Sequence, residues 1–401
     1  MPRHIGIVDL GSNNARMVVY EFEPGQWYRL VDVIRQPVRL GEGLGATGHL
    51  TDAAIRRGAA ALDLFADYAA ASKLDELVTI GTSALRDAEN KEGFQAVVAP
   101  LGIDIRVLSG EEEARCGVLA AANGFEMPGA WVMDLGGGSA QISRMRGRRY
   151  GGGEAYPLGA VRLTEAFLTS DPPKPSQVAD LEAEVERHLG GVAEALRREP
   201  VPLIAMGGTI RNLARAIQKR RDYPLSVLHG YFLRRTELEE LIEHLLTLTA
   251  RRRARIPGLN SDRADVILAG ALVYRWLLRR GERDGLFISG HGVREGVFFQ
   301  HFLPSPHLVP GVRRFSVANL AARFGLESAH IRHVRKLAGE LFAGLSGLHG
   351  LGPREEQLLD AAAMLHDVGI HVHFYRHHRH GAYVCSPPPP WPDSLTASTP
   401  S

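Results

Sequence analysis

Ile5-Gly-Ile-Val-Asp-Leu-Gly-Ser-Asn-Asn14 decides the reading of this chain, because it returns later as Trp131-Val-Met-Asp-Leu-Gly-Gly-Gly-Ser139. Each copy runs into a second apolar stretch, Ala15-Arg-Met-Val-Val-Tyr20 and Ala140-Gln-Ile-Ser143. Apolar β-formers on either side of a Gly, Ser and Asn cluster predict strand, tight turn, strand. The same device twice, in one register, implies two related halves facing a shared cleft. A strand that ends in Asp and turns through Gly sets a carboxylate beside unpaired backbone N–H groups, which suits a phosphate and its cation together. Gly11, Ser12, Asn13 and Asn14 in the first turn, and Gly136, Gly137, Gly138 and Ser139 in the second, are the expected phosphate cradles. Asp9 and Asp134 are the expected holders of a hydrated Mg²⁺. A third glycine turn, Gly207-Gly208-Thr209, follows the strand-like Val201-Pro-Leu-Ile-Ala-Met206 and opens a helix.

Around these turns the pattern alternates. Thr51 to Tyr68 has helical spacing, while Leu77 to Ile80 and Ile103 to Leu108 read as strands, so the class is α/β. Ser176 is placed to cap a helix through Val178 to Leu196, and Phe287-Ile-Ser-Gly-His-Gly292 reads as a last strand and turn. From Val312 the pattern is helical and rich in His; from Cys385 it passes into Pro, Ser and Thr, with Pro387 to Pro390 consecutive. A length of 401 residues calls for two or three domains. A formal charge of +2 argues against a dedicated nucleic-acid binder, so a polyanion must be held locally. Two cysteines, Cys116 and Cys385, give no disulfide framework and fit a reducing cytoplasm. The opening residues lack a signal-peptide pattern, and no apolar run reaches the roughly 18 residues of a membrane span, so no membrane partner is expected.

Asp9-Leu-Gly-Ser-Asn, Asp134-Leu-Gly-Gly-Gly-Ser and Met206-Gly-Gly-Thr resemble the phosphate and glycine motifs of the actin, Hsp70 and sugar-kinase superfamily. Within it, Thr82-Ser-Ala-Leu-Arg-Asp-Ala88, Leu108-Ser-Gly-Glu-Glu-Glu-Ala114, Gly159-Ala-Val-Arg-Leu-Thr-Glu165, Arg263-Ala-Asp265 and Gly292-Val-Arg-Glu-Gly296 resemble the exopolyphosphatase and guanosine pentaphosphate phosphohydrolase family. The resemblance implies two actin-like (ribonuclease H-like) lobes, residues 1–125 and 126–308, around the cleft. It implies Mg²⁺-dependent release of terminal orthophosphate from inorganic polyphosphate, with guanosine pentaphosphate as the competing substrate. A kinase of the same fold and a non-catalytic polyphosphate or alarmone sensor are the rival classes.

Ser109 and Glu112 sit at capping-box spacing, and Glu111 suits the positive end of the helix that follows, which leaves Glu113 without a structural task. The resemblance places the catalytic glutamate at this same residue, where it would activate the attacking water. It also places the loop with Ser83 and Arg86 on substrate phosphate, and Arg86 is the expected cation at the transferred group. Many relatives carry a glutamate at the position of Gln141; an amide there can still meet metal-bound water but supplies less charge. Arg251-Arg-Arg-Ala-Arg255 is the strongest basic run and reads first as a solvated helix end.

The C-terminal stretch resembles an HD-type helical domain over 312–384, whose metal site would fall on His333, His366 and Asp367. A fourth ligand has no place, so a non-catalytic remnant is expected. Where longer members continue in helices, Cys385-Ser-Pro-Pro-Pro-Pro-Trp391 reads as a truncation, and the tail 385–401 is expected to be disordered. Apolar faces left by the missing helices point to a homodimer.

Overall fold

A computed structural model describes residues 2–326 and 328–385. The expectation for the tail from 386 onward lies outside the described residues; Cys385 itself closes a helix, His377–Cys385. The first sheet contains β1 (Arg3–Leu10), β2 (Asn14–Glu23), β3 (Trp27–Pro37), β4 (Glu76–Gly81) and β5 (Ile105–Val107), in the order β3-β2-β1-β4-β5. The second contains β6 (Gly129–Leu135), β7 (Ala140–Arg146), β8 (Arg149–Tyr156), β9 (Leu203–Met206), β10 (Phe232–Arg234) and β11 (Gly285–Ile288), in the order β10-β11-β9-β6-β7-β8. With β10 set aside, β8-β7-β6-β9-β11 repeats the order of the first sheet. The two Asp-Leu-Gly turns therefore occupy equivalent places, at the ends of central strands that pair in parallel with β4 and with β9. Those strands are buried on both faces, with Ile5, Ile7, Val8 and Leu10 in one and Val132, Met133 and Leu135 in the other. This accounts for near-continuous apolar runs where a half-exposed strand would alternate.

Helices cover the sheets. Thr51 Oγ accepts from Ala54 N at 3.1 Å and starts the helix Asp52–Ala71, whose Leu62 and Phe65 are fully buried. The helix Gly110–Gly124 follows β5 of the first sheet, yet its Val118, Ala121 and Ala122 pack with Val132, Met145, Ile204 and Met206 of the second. Beside it lies the helix Val293–Phe302, so close that a Cβ on Gly296 would stand 2.1 Å from the carbonyl oxygen of Cys116. A side chain there would overpack the contact at a cost of about 1–3 kcal/mol or more. These two helices belong to neither half alone, which sequence spacing did not reveal. Ser176 is no cap: Pro175 opens the helix Pro175–Arg198, and Gln177 Oε1 accepts from Lys174 N at 2.9 Å. Proline with its fixed φ takes the first helical position and leaves Ser176 inside the first turn. Arg253 of the basic run is buried and bonds to Asp171 and to Leu248 O, so it is part of the packing.

Two compact units are distinguished: residues 3–21 with 30–308, and residues 22–29 with those from 309 onward. The second is helical, with Val312–Arg323, Ala329–Gly344, Pro353–Leu365 and His377–Cys385. Its core is small: Ala321, Leu326, Ile331 and Val368. The tip of the β2–β3 hairpin belongs to it through Tyr28, whose N–H donates to Asn319 Oδ1 at 2.7 Å. Leu341, Leu348, Phe374 and Tyr375 of this unit are exposed. No described helix is long and apolar enough to cross a membrane.

Candidate active site

The two glycine turns share one hydrogen bond. Gly11 N donates to Asn14 O at 3.1 Å, and Gly136 N donates to Ser139 O at 2.9 Å. They also meet: a Cβ on Gly137 would stand 2.9 Å from Ser12 Cβ, and one on Gly138 would stand 2.6 Å from Ser83 Oγ. Ser12 Oγ and Ser83 Oγ are 3.0 Å apart. The third turn enters beside them at Gly207, whose φ of 99° and close approach to Leu135 O exclude a side chain. Together the turns line a cavity with Asp9, Asp134, Glu113, Arg16, Arg211, Arg263 and Arg294.

Its acids differ. Asp9 Oδ2 accepts from Arg294 Nη1 at 2.9 Å, and burial raises its pKa despite Arg294 and Arg16. Asp134 accepts no hydrogen bond among the described residues, and burial pushes it up to about 6, against the pull of Arg211 and with repulsion from Asp9. An unanswered, half-buried carboxylate near a second one is an all-oxygen donor set that fits a hard divalent cation.

The glutamate triplet divides as spacing predicts. Ser109 Oγ accepts from Glu112 N at 3.1 Å and Glu112 Oε2 accepts from Ser109 N at 2.9 Å, closing a capping box. Glu111 reaches Arg115 at the exposed surface. Glu113 turns inward, is 8% exposed, and is pushed by burial up to about 7. Arg86 restrains that rise, donating Nη1 to Glu113 Oε2 at 3.0 Å and to Leu108 O at 3.0 Å. A carboxyl group tuned near neutrality at the edge of an anion site has the profile of a general base.

The arginines are crowded. Burial depresses the pKa of Arg16, Arg211 and Arg263, and mutual repulsion among them, Arg35 and Arg294 adds to it. Guanidinium groups stay protonated, so this opposition is relieved only by anionic charge. Arg16 and Arg263 have no side-chain hydrogen-bond acceptor among the described residues. Arg294 is carried upward instead: Glu295 and Asp9 outweigh its burial.

The profile of the Ppx/GppA phosphatase family matches residues 18–304, and that of its domain III matches residues 312–387. This chain belongs to the Ppx/GppA phosphatase family. Exopolyphosphatase 2 of Mycobacterium tuberculosis is 31% identical over 312 residues, covering 73% of this chain and 97% of that one. Exopolyphosphatase 1 of Mycobacterium bovis is 31% identical over 307 residues, covering 74% and 87%. The crystal structure of the Aquifex aeolicus family member superposes with a TM-score of 0.63 at 27% identity, covering 74% of this chain and 97% of that one. An exopolyphosphatase from Cytophaga hutchinsonii shares the fold at a TM-score of 0.71 and 22% identity, covering 77% and 100%.

For a Ppx/GppA phosphatase, the cleft gathers most of the residues anticipated from sequence and omits some. Gly11, Ser12, Asn13, Asn14, Ser83, Gly136, Gly137, Gly207 and Gly208 line it with Asp9, Asp134 and Glu113. Arg86 is not in that lining; its Nη1 donates to Glu113 Oε2 and to Leu108 O. Gly138 borders an adjoining crevice with Ser83 and Arg162. Ser139 is buried and bonded to Gln141, whose Nε2 donates to Ser139 Oγ at 2.8 Å. Gln141 pairs across from Asp134 on β7, yet at 2% exposure and bonded to Ser139 it does not line the cleft. Thr209 is buried against Gly270. Arg16, Arg211, Arg263 and Arg294 were not anticipated as a group. Three of them follow a glycine turn within a few residues, which was the available signal.

In the helical unit, His330 and not His333 stands with His366 and Asp367. The least exposed stripe of the helix Ala329–Gly344 runs through Ile331, Val334 and Ala338, of which Ile331 is buried. Three residues at 3.6 per turn rotate His333 about 60° farther from that stripe than His330.

Proposed function

We propose that this chain is an exopolyphosphatase that hydrolyses the terminal phosphoanhydride of inorganic polyphosphate. One observation carries the reading: guanidinium groups crowded around glycine cradles, with Arg16 and Arg263 unanswered, beside a buried glutamate. Backbone N–H groups of the turns and the arginines hold the terminal phosphates and orient the last one. Glu113 accepts the proton of a water whose oxygen attacks the terminal phosphorus. The bridging P–O bond opposite breaks, orthophosphate leaves, and the shortened chain keeps the bonding electrons as an oxyanion. Arg86 holds Glu113 in place and keeps part of it ionised. Asp134, with Asp9 nearby, would hold a divalent cation, Mg²⁺ by its oxygen donors, which neutralises phosphate charge when bound.

Polyphosphate is favoured over guanosine pentaphosphate because the described residues lining the cleft include no aromatic side chain on which a base could stack. The two relatives at 31% identity are named exopolyphosphatases. Free Cys116 and Cys385 suit a cytoplasmic enzyme, and the exposed leucines of the helical unit suit burial by a second copy, which sedimentation would reveal as a dimer. The test of substrate is phosphate release with Mg²⁺ from long-chain polyphosphate, guanosine pentaphosphate and ATP. Highest kcat/KM on polyphosphate is expected. A preference for guanosine pentaphosphate, or transfer to an acceptor without free phosphate, overturns the reading.

A further inference from the structure

We propose, on the basis of the hydrolysis assigned to the cleft, that Arg162 is a positioning residue for that reaction. It fixes the Gly138–Ser139 peptide of the second glycine turn and, through Asp87, the arginine that holds Glu113. The two turns show why a side chain is needed. Counted from Asp9 and Asp134, Asn13 and Gly138 take the same place. In the first turn the carbonyls are held by main chain: Ser12 O accepts from Gly41 N at 2.9 Å, and Asn13 O accepts from Val38 N at 3.2 Å and from Arg39 N at 3.0 Å. In the second turn Gly136 O and Gly137 O are held by main chain as well. They accept from Ala160 N at 3.0 Å and Val161 N at 2.8 Å, at the start of the helix Ala160–Phe167. Gly138 O instead accepts from a side chain, Arg162 Nε, at 3.1 Å. A peptide is planar and trans, so whatever holds this carbonyl also sets the direction of the N–H of Ser139.

The same guanidinium reaches the other half of the cleft-bearing unit. Arg162 Nη2 donates to Asp87 Oδ2 at 2.5 Å. Asp87 closes the short helix Ser83–Asp87, and its Oδ1 lies 3.6 Å from Arg86 Nε. Arg86 in turn donates to Glu113 Oε2 at 3.0 Å. A chain of contacts thus runs from the Gly138 carbonyl through Arg162, Asp87 and Arg86 to the carboxylate that takes the proton of water. Ser83, at the other end of the short helix, abuts the turn directly: a Cβ on Gly138 would stand 2.6 Å from its Oγ. Turn and helix therefore keep one spacing, and Arg162 is the group bonded to both.

Arg162 borders the adjoining crevice and is not among the residues lining the cleft, so it acts through these partners and not on phosphate. Its side chain and that of Asp87 are 29% and 34% exposed. An ion pair so open to water adds little to stability. What it adds is geometry: displacing a reacting group by about 1 Å can cost about 10²-fold in rate.

The experiment measures steady-state phosphate release by the full chain on whichever of polyphosphate, guanosine pentaphosphate and ATP the wild type hydrolyses fastest. The identity of that substrate judges the proposed function, and the ratio of variant to wild type judges Arg162. Arg162→Ala should lower kcat by about 10- to 100-fold with KM within about threefold, because the arginines of the cleft are untouched. Arg162→Lys should recover part of the loss, since a single ammonium can meet Asp87 or Gly138 O but not span both. Asp87→Asn should also lower kcat, and the double variant Arg162→Ala, Asp87→Asn should be no slower than about the slower single variant. Should Arg162→Ala fail to fold, Arg162→Lys and Asp87→Asn, each with the thermal unfolding of wild type, decide the matter by the same split between kcat and KM. An unchanged kcat in Arg162→Ala, a loss falling mainly on KM, no gain of lysine over alanine, or losses that multiply in the double variant overturns the proposal.

Discussion

The two glycine turns share a sequence, a place in their sheets and an internal hydrogen bond, and differ in what answers their aspartates. Asp9 is met by Arg294, reaching back from a helix that closes the second half of the cleft-bearing unit. Asp134 is left without a hydrogen-bond donor among the described residues. The difference teaches how a duplicated device divides its work. An arginine on the first carboxylate ties the halves together, and on the proposed function the second is the one left for a cation.

Exchanging the aspartates is the way to break this comparison. Asp134→Asn should raise the Mg²⁺ concentration for half-maximal phosphate release by about tenfold or more, since an amide cannot replace the lost charge. Asp9→Asn should shift it less and raise KM for polyphosphate, because Arg294 loses its anchor. The reverse ranking in a cation titration would exchange the roles given to the two turns.

Arg263→Ala sharpens the comparison from the side of the arginines. A charge-assisted hydrogen bond is worth about 1.5–3 kcal/mol, so KM for polyphosphate should rise roughly tenfold or more, with kcat changed less. Equal KM in wild type and variant would remove Arg263 from the substrate site. A smaller effect is expected at Arg86. The base acts deprotonated, so turnover should climb with pH through about 7, the value to which burial lifts Glu113. Arg86 holds that value down, so Arg86→Gln should move the rise to higher pH, and Arg86→Lys should restore part of it. A pH profile unaltered in Arg86→Gln would deny it this positioning role.

The smallest effect on the cation belongs to Gln141→Glu. Its amide is buried and bonded to Ser139, so a carboxylate there is expected to bury a charge and not to line the cleft. The Mg²⁺ titration should stay as in wild type while thermal unfolding falls by an amount equivalent to about 1–3 kcal/mol. A lowered Mg²⁺ requirement would bring Gln141 back to the metal.

What was legible in the sequence was local. The turns, the capping box of Ser109 and Glu112, and the inward glutamate left by it are set by residues within a few positions of each other. The arginine cluster was not legible, because Arg16, Arg211, Arg263 and Arg294 come from separate segments that only the folded sheets bring together. His330 was missed for a related reason: the two histidines are one helical turn apart, and which faces Asp367 depends on the least exposed stripe. The resemblance points Arg86 toward substrate phosphate; its contact with Glu113, 27 residues on, is one that no local spacing shows.

Steady-state phosphate release from polyphosphate by wild type, Glu112→Gln and Glu113→Gln, at saturating Mg²⁺, tests the central claim most directly. The account predicts that Glu113→Gln lowers kcat by about 10²–10⁴-fold with KM within a few-fold, while Glu112→Gln stays near wild type in kcat and loses only cap stability. Normal turnover in Glu113→Gln, with the loss falling on Glu112→Gln, would contradict it.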